Sequence, residues 1–239
     1  MPRRSVDLIL LRGKKKAKVL TTKEFKKLLF EVSLSRNPER NALIVRMLFD
    51  MAMRVSEVAR IKVEDMLWPN GKWRDEVLLQ AKICKGGKAG IVFTFSPKLR
   101  EAGNKYFDMR ISKKQWMGEP ERYRGLHPKS PVILSDRGAA YSLKRKLYVN
   151  AEGEEKVYRA ADTLQNAVDK WFHGSGIKGA STHSGRRSYA DRLAKDGMSI
   201  DRIAALLRHS DDRFHNVTYE YLDPDLNLLI KATHELFDI

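Results

Sequence analysis

A single cysteine, Cys84, serves the whole 239-residue chain, which excludes an intramolecular disulfide framework and any multi-cysteine metal site. Its bland reading is a buried thiol at a strand end, in a chain suited to a reducing cytoplasm. Long apolar runs are missing too. The stretch from Val6 to Leu11 is interrupted by Asp7 and followed by charge, so it is too short and too polar for a signal peptide or a membrane span. No G-x-x-x-x-G-K-[ST] loop is present, which argues against an ATP-driven motor. Gly174-Ser-Gly-Ile-Lys-Gly179 has the glycine spacing of a dinucleotide loop but follows a predicted helix, not a strand, so that fold is not expected. His183, His209 and His215 have neither His-x-x-x-His spacing nor a sequence-local carboxylate, and no metal or other cofactor is expected. Acidic charge is also in short supply: 30 Asp and Glu face 46 Lys and Arg, a net charge of +16 spread over most of the chain. Such a surface attracts polyanions, either nucleic acid or an anionic membrane.

What is present is enough for a core. With 42% hydrophobic residues, 239 residues suffice for one domain, or one domain with an appendage. Thr21-Thr22-Lys23-Glu24 has the pattern of a capping box and predicts a helix over 22–34. Residues 1–19 before it form a basic arm. Asn37-Pro38 starts a second helix, mostly apolar from Ala42 to Met51 and therefore buried. A short helix in RVSEVARIKVEDM leads to a strand near 63–68. Asn70-Gly71 then reads as a tight turn, and EVLLQAKICKGGKAGIVFTF as two more strands joined at Gly86-Gly87. The expected sheet is small, antiparallel and three-stranded. Ser96-Pro97 opens a helix to about residue 109, a long loop covers 116–131, and Glu152-Gly153 sits in a hairpin spanning 143–159. Helices over 160–172, 184–196, 199–208 and 225–237 follow, so the class is α+β and mainly helical.

Several polar groups stand out, each with an ordinary explanation. In THSGRRSYADRL, His183 and Arg186 flank the start of a helix whose first amides suit a phosphate, with Thr182 or Ser184 as cap; alone, this is a capping segment with surface arginines. Arg54 pairs locally with Glu57, and Lys85-Gly-Gly-Lys88 is a solvated turn. His209 suits a helix C-terminus, and Tyr219 and Tyr221 suit half-buried aromatics. The segment ADRLAKDGMSIDRIAALLRHS resembles a helix-turn-helix, but its second helix is too apolar to reach base edges, so it reads as a core helix.

The order of these features is more specific than any one of them. MAMRVSEVARIKVED, ICKGGKAGIVF, THSGRRSYADRLAKDGMSIDRIAALLRHSD and VTYEYLDPD, in that sequence, resemble the catalytic domain of the tyrosine recombinases, the phage-integrase superfamily. The resemblance covers roughly residues 20–239 and is most specific over 182–224. It implies the integrase catalytic fold, with a basic arm at 1–19 where the family usually has a separate helical core-binding domain. It implies a site-specific recombinase that breaks and rejoins DNA through a 3′-phosphotyrosyl link, for integration, excision or inversion. By position, Arg54 and Arg186 match the phosphate-clamping arginines and Lys85 the hairpin lysine, with Lys88 a rival. His183 and His209 match the active-site histidines and Tyr219 the nucleophile, with Tyr221 a rival; Glu57 matches the acidic residue that supports the first arginine. The implied partners are double-stranded DNA and further copies of the chain, a tetramer on DNA docked through the C-terminal helix, with accessory proteins and no membrane. A DNA-associated protein of a prokaryotic cytoplasm or viral host is expected, as part of a mobile element. Arg208 departs from the family pattern, which has glycine before the second histidine. Two alternatives stand beside this reading: a topoisomerase-like nicking and closing enzyme, and a non-catalytic helix-turn-helix regulator.

Overall fold

The computed structural model describes residues 17–84, 87–149, 153 and 155–208. Most of the basic arm, Lys85, the histidines and tyrosines of 209–221 and the expected tail helix lie outside the described residues.

Helix α1 (Thr22–Ser33) starts at the expected capping box: the Glu24 amide donates to Thr21 Oγ1 at 3.3 Å and the Thr21 amide to Glu24 Oε2 at 3.0 Å. Lys18 also pairs with the Glu24 carboxylate. That bond, with the Thr21 amide, holds Glu24 well below the usual carboxylate range, to about 2. Phe25, Leu28 and Val32, spaced at 3.6-residue period, are its buried stripe. Helix α2 (Pro38–Asp50) begins with proline, whose fixed φ and missing amide suit the first turn, and is buried nearly all round. It forms the centre of the molecule, packed against α1, against α5 (Pro97–Ser112) and against α7 (Ser184–Lys195). Burying Leu43, Ile44, Met47, Leu48 and Phe49 completely is worth about 2 kcal/mol per side chain.

The expected third strand is instead a helical turn. Val63 and Met66 are buried at i and i+3 in helix α4 (Val63–Met66), and Asp65 turns back to accept the Lys62 amide at 2.9 Å. That local cap competes with extension, and only a single bridge, Leu67 to Trp73, survives around the Asn70-Gly71 turn. Among the described residues the sheet structure is therefore two separate two-stranded antiparallel ribbons. In the first, β1 (Glu76–Leu79) pairs with β2 (Gly90–Phe93), Leu79 opposite Gly90. In the second, β3 (Lys144–Val149) pairs with β4 (Glu155–Ala160), the hairpin expected over 143–159. The α+β, mainly helical class holds.

Two apolar clusters carry the fold. The larger surrounds α1, α2, α5 and α6 (Asp162–Gly174). The smaller joins Ala52, Phe93, Tyr189 and Leu193 to Ile203, Leu206 and Leu207 of α8 (Ile200–Leu207). Helix α8 is thus a core helix, with Asp201 and Arg202 on its exposed side. No helix among the described residues is long and apolar enough to cross a membrane.

Candidate active site

The seam between the two clusters is where the polar residues gather. Helix α2 ends at Asp50, and Ala52 takes a left-handed conformation (φ 48°) that reverses the chain. Arg54 follows as N-cap of the single-turn helix α3 (Val55–Val58). Glu57, at the third helical position, accepts the Arg54 amide at 2.8 Å and the Arg54 Nη1 at 2.9 Å. Arginine and carboxylate are thus fixed by a capping box, and Glu57 is completely buried.

Arg186 reaches the same corner from α7. Its helix can approach α2 because residue 185 is glycine: a β-carbon there would stand 2.3 Å from the Leu48 carbonyl oxygen. The Leu20 amide donates to Ser188 Oγ at 2.9 Å and ties the start of α1 to the same helix. Arg186 is 5% exposed, donating Nη1 to the Ala52 carbonyl at 2.6 Å and Nη2 to that of Leu207. His183, rather than Thr182 or Ser184, caps α7; its side chain is exposed, and its amide donates to Ser181 Oγ at 3.3 Å.

A third guanidinium, which the sequence reading did not assign to the site, completes the corner. Arg208 Nη2 donates to Glu57 Oε2 at 2.8 Å, so one carboxylate serves two arginines. Burial pushes Glu57 up, but Arg208 and Arg54 outweigh it and hold its carboxyl below the ordinary range. The only sequence signal for Arg208 was its place in LLRHS, where the resemblance expects glycine.

These groups border a cleft of about 690 Å³ whose lining includes Arg54, Arg60, Lys82, Arg159, His183 and Arg186, with no acidic residue among the described lining. Burial, with Arg54 and Arg208 adding to it, pushes the Arg186 guanidinium down to about 9, still charged at neutral pH. Burial likewise pushes Arg60 down, with Arg159 adding to it. Burial is the larger cause in both, and a neighbouring guanidinium is the second, so positive charge here exceeds the negative charge that answers it. An anion with several oxygens fits that deficit. Cys84 also lines the cleft, its thiol pushed up by burial and therefore a poor nucleophile.

Of the residues singled out from sequence, Arg54, Glu57, His183 and Arg186 come together here. Lys85, His209 and Tyr219 lie outside the described residues. Lys88 is described and exposed, on the stretch leading into β2.

The phage integrase family model matches residues 18–225. Tyrosine recombinase XerA of Thermococcus kodakarensis is 27% identical over 209 residues, 86% of this chain and 60% of the relative. The match therefore spans about three fifths of that relative's length. Among solved structures, a crystal structure of XerA recombinase aligns over 96% of this chain and 67% of its own, with TM-score 0.57 and 20% identity. A XerH site-specific recombinase bound to a palindromic difH substrate in a post-cleavage complex aligns over 83% of this chain and 48% of its own, with TM-score 0.53 and 17% identity.

Proposed function

The chain belongs to the phage integrase family, and from that premise we propose that it cleaves and rejoins double-stranded DNA as a tyrosine site-specific recombinase. The observation that carries the reading is the cation-rich cleft in which Arg54 and Arg186 converge, with no acidic residue among its described lining. A phosphodiester attacked in line gains negative charge on its nonbridging oxygens, and two preorganised guanidiniums stabilise that charge. Arg54 and Arg186 form the clamp. Tyr219 Oη attacks the scissile phosphorus, the bond to the 5′-oxygen breaks, and a 3′-phosphotyrosyl ester forms. Lys85 gives its proton to the departing 5′-oxygen, and His183 shares in taking the phenol proton. Rejoining is the reverse attack by a 5′-hydroxyl, with the bond energy kept in the ester. His209 adds a further hydrogen bond to the phosphate.

The β3–β4 ribbon belongs to the DNA-facing surface in this reading, because Val157, Tyr158 and Arg159 line the cleft. Assembly on DNA through the tail helix and work in a cytoplasm complete the proposal. The regulator alternative is the weaker one, since its recognition helix would be α8, whose apolar side is occupied by the core.

The test is covalent trapping on a nicked suicide duplex. Tyr219→Phe is expected to lose the denaturation-resistant protein–DNA band and Tyr221→Phe to keep it. The reverse pattern reassigns the nucleophile, and a band that persists in both variants rejects tyrosine chemistry.

A further inference from the structure

Helix α8 ends at a residue whose backbone asks for glycine. Arg208 has φ 54° and ψ 46°, a left-handed conformation in which a β-carbon is crowded. Arginine persists there because its side chain is held. Besides Glu57, it donates Nη2 to the Ala52 carbonyl at 3.3 Å and Nη1 to the Leu206 carbonyl at 3.3 Å, and it is only 7% exposed. Its stem passes directly over Gly90 of β2: a β-carbon at 90 would stand 2.3 Å from Arg208 Cδ and 2.7 Å from Cγ. Glycine on one strand and arginine on one helix end are therefore a matched pair.

The turn that Arg208 anchors is also the turn that orients the clamp. Arg186 Nη2 donates to the Leu207 carbonyl, and Arg54 Nη2 to the carbonyl of Arg208 itself at 3.4 Å. Both clamp guanidiniums thus lean on two successive peptide oxygens at the end of α8. We propose that Arg208 is a positioning residue for DNA cleavage: by pinning the end of α8 between Glu57 and Gly90, it sets the orientation of Arg54 and Arg186. This rests on the reading of Arg54 and Arg186 as a phosphate clamp. It adds that, in this chain, a side chain does what a glycine turn leaves to the backbone.

The full chain is assayed on a nicked suicide duplex for DNA affinity, for the rate of covalent-complex formation at saturating DNA, and for Tm. Arg208→Gly relaxes the turn but takes one of two cations from buried Glu57, so its Tm falls while the protein, still folded at the assay temperature, binds duplex normally. Its covalent rate is expected to fall on the order of 10²-fold, the scale of a reacting group displaced by about 1 Å. Arg208→Lys recovers part of the rate. Gly90→Ala pushes the stem aside and slows the reaction in the wild-type background, but adds nothing in an Arg208→Gly background. A wild-type covalent rate in Arg208→Gly overturns the proposal, as does an additive loss in the double variant. Wild-type protein that binds the duplex and never forms the covalent complex overturns the functional reading, and this role with it.

Discussion

Arg110 and Arg186 are both almost fully buried, at 0% and 5% exposure, yet their surroundings differ in kind. Arg110 lies on α5, closed off from solvent, and donates to the Pro131 and Val132 carbonyls at 2.9 and 3.2 Å and to Ser130 Oγ at 3.0 Å. It has no carboxylate partner among the described residues, and no second guanidinium crowds it. Its charge is spread over the dipoles of one loop, and its work is to hold that loop against the core. Arg186 also donates to two carbonyls, but Arg54 and Arg208 stand beside it, Glu57 answers only part of the total, and a cleft opens next to it. A buried arginine is therefore not itself a sign of function. Surplus charge beside open space is.

The comparison breaks most sharply under truncation. Arg54→Ala is expected to slow covalent-complex formation about 10³-fold, the usual scale for losing one donor to transition-state charge. Its Tm should fall only modestly, because Arg54 lies at the cleft edge and Arg208 still answers the buried Glu57 carboxylate. Cleavage within tenfold of wild type would remove Arg54 from the clamp. Arg110→Ala should do the converse: it leaves two carbonyls and a serine unpaired in the core, costing about 3 kcal/mol or roughly 10 °C in Tm. Below that Tm, the covalent rate per folded molecule should match wild type. A smaller effect concerns Glu57. A carboxyl held low in the folded state contributes stability above its unfolded value, about 4.3, and loses it as pH falls through the folded value. Unfolding free energy measured from pH 6 downward should therefore fall more steeply for the wild type than for Glu57→Gln. Parallel curves would mean that the two arginines do not stabilise that carboxylate.

Much of this was legible in the sequence where a local rule and a global need agreed. Thr21 with Glu24, Pro38 after Asn37, and Ser96 before Pro97 each marked a helix start that the fold keeps. Arg54 and Glu57, three apart, were legible as a pair because a capping box needs that spacing. The stretch Val63 to Trp68 was misread because four apolar residues over six positions suit a strand or a turn of helix equally. The decision came from Asp65, whose side chain caps the Lys62 amide. Arg208 was seen only as a departure from a pattern. Its contacts with Glu57, 151 residues away in sequence, and with Gly90 depend on how α8 packs against β2, which no local spacing encodes.

The most direct test of the claim that the charge surplus exists for a scissile phosphate is to measure DNA affinity and covalent yield together in Arg186→Ala, using a library of nicked duplexes. The account predicts that the variant, folded as judged by Tm, binds duplex DNA within a few-fold of wild type and loses the covalent product by about 10³-fold. Covalent yield per bound molecule equal to wild type, with only the affinity reduced, would contradict it.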